Sequence, residues 1–425
     1  MGNKARNERP TGLKPIRQIE VSEKNVKQRW ILLIVFVAIA IGAFSYALSE
    51  LLTTDPGWIE VEAKTSDLSC GEDFIFSYYI GAGEHSPAAE KKQVTALYGE
   101  TAVRAYRLFN RDRHFDGVVN VYDLNSNPNT EMQVDPALYN AFSVLAEHES
   151  RHLYLGALCV EYETLFFGAG SSPAAKDDDP YVNDEIAAYF EELAQFAADP
   201  ASVELELLGD NRVCLRVSEE YLAFAEENGI TVFIDFFRMK NAFVIDLIAD
   251  SMIEKGFTHG CISSYDGYVR NLDNSGTMYS INLFDLQGDY VYNTARMDYQ
   301  KPLSIITLRA YPLGEKDSLY FYTAPDGSII TPYPDIEDGL YKTATDSLIS
   351  YSETQSCAEI LLAVMPNFIR ANWDGNAQNV LTDDGIWSVW FEGSTLLYNE
   401  SEASINELYS DEKVQYRKEY TSLTD

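Results

Sequence analysis

From Trp30 to Leu52 the chain reads WILLIVFVAIAIGAFSYALSELL, without a charge until Glu50. About 20 apolar residues in a row are enough for a helix to cross the hydrocarbon core of a bilayer. Trp30 and Tyr46 fall near the two ends, where amphipathic rings favour the membrane interface. Further on, the pattern divides into short elements. Trp58–Ala63 and Phe74–Ile80 read as strands. Pro87–Phe109 is helical, with Val94, Leu97, Val103, Tyr106 and Leu108 available for a buried face, and Pro136–Leu145 is a second helix. Ser171–Pro180 is a loop. Asn183 caps a helix in which Ile186, Tyr189, Phe190, Leu193 and Phe196 recur at helical spacing.

The middle of the chain is more regular. Val203–Val217 predicts two strands about a Gly-Asp-Asn turn, and Ser218–Asn228 a short helix closed by Gly229. Thr231–Asp235 reads as a buried strand. Ala242–Lys255 reads as a helix with Val244, Ile245, Ile248, Met252 and Ile253 inward and Gly256 ending it. Strands then dominate: Tyr268–Leu272, Thr277–Asp285, Ser304–Ala310, Leu319–Thr323 and Ser347–Ser352. An apolar helix, Ala358–Met365, and a hairpin, Trp387–Tyr398, close the pattern before an acidic tail after Ser401. Helices mixed with meandering strands make the class α+β.

Charge adds topology. The chain carries −34, but residues 1–29 hold eight basic and three acidic residues, a net +5, which leaves −39 for the remainder. Basic residues on one side of an apolar span place that side in the cytoplasm, so the expectation is a single-pass protein of the cell membrane. Its N-terminus is then cytoplasmic and its main domain extracytoplasmic, facing an envelope protein partner of unknown identity. The alternative of a cleaved signal peptide is disfavoured by the length of the run. Nucleic acid is excluded as a partner, because phosphate contacts need Lys and Arg. The five cysteines are too widely spaced for a zinc pattern and their odd number leaves at least one unpaired. Cys70, outside the core pattern, is the candidate for a disulfide. Asp177-Asp178-Asp179 lacks calcium-loop spacing and reads as a solvated turn. His148-Glu149-Ser150-Arg151-His152 matches HExxH, which on a helix would aim two imidazoles at one zinc with Glu149 as base; Glu161 is then the nearest candidate third ligand.

The segment Asp235–Gly267, DFFRMKNAFVIDLIADSMIEKGFTHGCISSYDG, resembles the central motif of the ApbE-type FAD:protein FMN transferases, roughly DLGGIAKGYAVD…LL…G…NLGGD. Asp235 and Asp246 stand at its two aspartates. Phe237 and Arg238 replace the paired glycines, Asn241 replaces the lysine, and Ser263 to Gly267 take the place of NLGGD. The resemblance extends from about Asn120 to Tyr398. Leu124 and Asn125 match the family's SelsrlN segment, and Ser150 to Leu155 lie along TdGaFDP. Asp335 and Gly339 match HIlDPxTG, with Pro332 at the His. Ala358, Glu359 and Ala363 fall on the Ala, the metal-binding Asp and the metal-binding Thr of ADALATA.

The resemblance implies an ApbE-like (T-fold-like) arrangement of mixed helices and antiparallel sheets, and the apolar run places one transmembrane helix before it. Together they divide the chain into a basic tail (1–29), an anchor (30–52), a membrane-proximal start (53–119), the ApbE-like part (120–398) and an acidic tail (399–425). The resemblance further implies FAD and Mg2+ as cofactors, with Arg238, Lys240, Asn241, Asp246, Tyr265 and Asp335 at the flavin nucleotide. Glu359 and the Lys240 carbonyl would be the metal ligands. Such a metal neutralises phosphate charge while a protein threonine attacks. Bulky groups where backbone must approach a pyrophosphate, and a missing hydroxyl at Ala363, point instead to lost or altered catalysis and a binding or assembly role. Active FMN transfer and a zinc protease are the alternatives.

Overall fold

The computed structural model describes residues 26–52, 54–63, 73–83, 85–167, 177–324 and 327–422. The basic tail up to residue 25, Cys70 and most of the Ser171–Pro180 loop lie outside them. Two compact units are separated at residue 54. In the first, Val26–Leu52 is one helix. Its side chains are described over 30–45 and all are exposed; among the described residues no helix is long and apolar enough to cross a membrane.

The second unit is built on a nine-stranded sheet. Its strand order is Gly57–Val61, Phe74–Ile80, Gly260–Ser264, Tyr268–Asn271, Leu303–Arg309, Ser347–Ser352, Trp387–Glu392, Thr395–Tyr398 and Arg417–Tyr420. Every pairing is antiparallel except the last. The two flanking stretches, 53–119 and 399–425, therefore both supply strands to the sheet.

Alternation along the central strands splits the core in two. Ile306, Leu308, Leu348 and Trp390 face the helices Pro87–Leu108, Lys240–Glu254 and Cys357–Phe368. Their neighbours Ile305, Ile349, Val389 and Phe391 face a smaller sheet of Tyr279–Gln287, Tyr290–Tyr299 and Ser404–Asn406. The strand Leu303–Arg309 is therefore covered on both faces and buried along nearly all its length.

Local chemistry sets most boundaries. Asn183 accepts the N–H groups of Glu185 and Ile186 at the start of Asp184–Ala198, and Ser218 accepts that of Tyr221 in Glu219–Asn228. The Val203–Gly209 and Arg212–Val217 strands meet at Asp210 and Asn211, both at positive φ. Some expectations are revised. Thr231–Asp235 is not a strand and bends at Phe233; its backbone is held by a side chain instead. Ile253, expected inward, is 45% exposed. Leu319–Thr323 is divided between a 3-10 turn, Asp317–Tyr320, and the two-residue strand Tyr322–Thr323.

Candidate functional site

The site grows from the segment leading into Asp235. Asn125 Oδ1 accepts the N–H groups of Phe233 (2.8 Å) and Ile234 (3.0 Å), and its amide donates to the Ile234 carbonyl (2.9 Å). That completes the amide's role as a substitute strand partner. Gly156 closes the other side: a Cβ there would stand 2.9 Å from the Ile234 nitrogen, backbone against backbone. The chain then turns through Phe237–Met239 into the Lys240–Glu254 helix. Phe237 has φ +43°, the left-handed conformation, so the first of the two glycine positions keeps a glycine-like backbone under a bulky side chain. A residue with Cβ adopts it at a cost of about 1 kcal/mol.

Four sequence segments converge here. Phe237 and Arg238, His152, and Pro332 with Tyr333 line one cavity, with Leu361 and Met365 of the Cys357–Phe368 helix completing it. These are the segments aligned separately with the central motif, TdGaFDP, HIlDPxTG and ADALATA. The cavity measures only about 30 Å³. Ligand sites are ordinarily about 300–1,000 Å³. On the far side of Phe237 a polar cleft of about 280 Å³ remains, lined by Asp235, Lys240, Asn241, Arg111, Glu163 and Tyr320 among others.

Charge is concentrated between these spaces. Arg238 is 11% exposed at its side chain, with Asp266 at 4.0 Å and Asp317 at 3.7 Å, and its guanidinium lies over the Tyr320 ring at 4.3 Å. Burial opposes its charge, but Asp266 and Asp317 more than offset this and hold it well above its ordinary pKa. Asn241 donates to Asp266 at 3.0 Å. Burial raises the Asp73 carboxyl, against the pull of nearby Lys240. In the cleft, Arg111 bridges Asp235 (2.5 Å) and Glu163. Asn241 Oδ1, Asp266 Oδ1 and Asp317 Oδ1 are buried without a hydrogen-bond donor.

The remaining residues named from the sequence have structural occupations. Asp246 is buried and accepts from Arg270 (2.5 Å) and from the backbone N–H groups of Cys357 (3.0 Å) and Ala358 (2.8 Å), which pins one helix to the start of another. Asp335 accepts from Lys342 at 2.8 Å inside the turn that ends at Gly339. Tyr265 is 44% exposed on the hairpin turn, with the Lys316 ammonium 4.2 Å from its ring centre.

Glu359 is not placed as a metal ligand. Its carboxylate accepts the Ser356 backbone N–H at 2.7 Å while Ser356 Oγ accepts the Glu359 N–H at 3.2 Å, a reciprocal cap. The Lys240 carbonyl belongs to the first turn of a helix, where the ladder uses it. Ala363 offers no side-chain oxygen, and among the described residues no three His, Cys, Asp or Glu side chains are grouped to hold a metal. The donor set inferred from the sequence therefore does not fit a divalent ion.

The zinc reading is overturned outright. The Pro136–Glu147 helix ends before His148, and Glu149 takes φ +51°, so the HExxH residues do not share a helical face. His152 begins a separate 3-10 turn, and burial lowers its pKa to about 4. Cys159, Cys214, Cys261 and Cys357 are free thiols, and Cys70 lies outside the described residues.

No family model matches the sequence, and no curated protein matches it. Solved structures do match. The ApbE protein of Thermotoga maritima superposes with a TM-score of 0.54 at 14% identity, covering 83% of this chain and 97% of its own. The flavin transferase ApbE of Vibrio cholerae gives 0.53 at 10% identity, covering 82% and 96%. The chain has the ApbE fold. That ApbE architecture explains why segments so far apart in sequence meet at one cavity. Arg111, Asp317 and Tyr320, which set its electrostatics, carry no sequence pattern that singles them out; only the tertiary contacts identify them.

Proposed function

We propose that this protein uses the ApbE fold for binding or assembly at the extracytoplasmic face of the membrane, not for flavin transfer. The observation that carries this reading is the 30 Å³ cavity at the point where the four motif segments converge. A flavin ring needs several times that space, and Phe237, Arg238, Pro332 and Tyr333 occupy it. The dispersed donor set agrees: Glu359 is engaged in a cap and Ala363 has no oxygen to offer. Membrane anchorage rests on the apolar run Trp30–Leu52 in the sequence and the basic tail before it. The partner is then an envelope protein that reads the surface of the acidic outer unit.

The second reading is a metal-dependent FAD:protein FMN transferase acting on a protein threonine. It is favoured by the polar cleft of about 280 Å³ beside Lys240 and Asn241, which remains open. Titration of the full chain in detergent with FAD, with and without magnesium, separates the two. The binding reading expects no saturation at high micromolar FAD in either condition. Saturable, magnesium-dependent binding followed by covalent FMN on a threonine peptide would establish the transferase instead.

A further inference from the structure

A groove of about 940 Å³ shares no lining residue with the cavity or the polar cleft above. It follows the Pro87–Leu108 helix from Ala88 to Leu108, a run of about 30 Å at the helical rise of about 1.5 Å per residue. Val118 and Asp135, the cap of the Pro136–Glu147 helix, also line it. The helix already has an inward face, where Val94, Tyr98 and Ala105 join the core. A solvated outer face is ordinarily charged. Here much of it is small and apolar instead: Ala96 is exposed, Val103 is half-buried, and Gly99 has no side chain to raise the floor. Side-chain size at the contact sets how closely two helices approach, so this floor admits a second helix at short range. An apolar patch with a polar rim marks an interaction surface.

The charge of the rim is the reverse of the protein's own. Lys91, Lys92, Arg104 and Arg107 line the groove against Glu100 and Asp135, so +4 − 2 leaves +2 on a chain of −34. Arg104 is paired with Asp135 at 2.5 Å. Lys91 and Lys92 are exposed, and Arg107 lies 5.8 Å from the centre of the Phe115 ring; among the described residues none of these three is in an ion pair. Lys92 and Arg107 are about 22 Å apart along the helix, so uncompensated cations stand at both ends of the apolar floor. A compact anion reaches only one end, and nucleic acid would meet the acidic surface beyond the groove. A helix with an apolar stripe and carboxylates near both ends meets the floor and the cations together. We propose that this groove receives an acidic amphipathic helix of a partner protein, laid along Pro87–Leu108 with its carboxylates at Lys91 and Lys92 and at Arg107. The proposal supplies a partner chemistry for the binding reading above and rests on it.

The probe is a displayed library of helical peptides of about 20 residues, long enough for the groove, with Glu fixed near both ends and the apolar stripe varied. It is screened against the full chain in neutral detergent, and selected peptides are measured by fluorescence anisotropy. Saturable binding that weakens with added salt, and falls about tenfold in Lys91→Glu with Lys92→Glu and in Ala96→Trp, supports the proposal. Lys91→Arg with Lys92→Arg should retain it. All three positions are exposed, so the variants are expected to melt as the parent does. The proposal is overturned if the library yields no binder, or if its binders ignore these variants. It is overturned equally if a peptide of the same composition with its stripe scrambled binds as well, which leaves only general attraction of charge. Retention on phosphatidylglycerol vesicles through Lys91 and Lys92, with no peptide bound, would assign the groove to a lipid surface instead. The FAD titration tests the binding reading separately, since it does not involve the groove, and the groove can fail while that reading stands.

Discussion

The guanidinium of Arg238 lies 4.3 Å from the centre of the Tyr320 ring, with Asp266 and Asp317 as its counter-charges. A cation, a ring and two carboxylates thus occupy the interior beside a position where the related motif has glycine. Removing the cation would leave Asp266 with the Asn241 amide as its donor, while Asp317 would keep Arg309 at 2.6 Å. Arg238→Ala is expected to destabilise the outer unit by about 3 kcal/mol. Urea denaturation checks this, and a change below about 0.5 kcal/mol would mean that the cluster is solvated.

Glu359 serves the start of its helix. Gln can fill the same capping position, so Glu359→Gln should cost less than about 0.5 kcal/mol, whereas Glu359→Ala should cost about 1 kcal/mol. Added magnesium should shift the melting temperature of neither variant nor of the parent. A magnesium-dependent rise in the parent that Glu359→Gln removes would restore its role as a ligand.

Gly339 has φ +74°, and a Cβ there would stand 2.5 Å from the Phe190 carbonyl oxygen. Neither backbone can yield easily. Gly339→Ala should therefore destabilise by about 3 kcal/mol or more. Near-parental stability in a thermal melt would show that the Asp335–Gly339 turn can relax.

His152 supplies a pH dependence. Burial lowers its pKa from 6.5 to about 4, so between those values the unfolded chain binds a proton that the folded chain excludes. Stability from this group is complete above pH 6.5 and falls as pH drops towards 4. Allowing for its partial exposure, the loss is about 2 kcal/mol. Urea midpoints at neutral pH and at pH 5 should converge in His152→Gln relative to the parent; an unchanged difference would assign the acid sensitivity elsewhere.

Much of the architecture was present in the order of residues. Periodicity located the Lys240–Glu254 helix to within two residues at its start, because Val244, Ile245, Ile248 and Met252 must share one buried face. The Asn183 cap located another, since it satisfies donors only two and three residues away. Local hydrogen bonding and helical pitch act over short separations, so the sequence by itself determined these elements, and the order and spacing of the degraded motifs carried the fold.

Tertiary structure alone decided what those motifs enclose. HExxH is a local pattern, yet a left-handed Glu149 breaks the helix it needs. Glu359 occupies a ligand position by alignment and a cap by geometry. The narrowness of the cavity depends on side chains from residues 152, 237, 238, 332 and 333 meeting across the chain, and volume at such a point is a sum over distant contacts that no window of sequence contains.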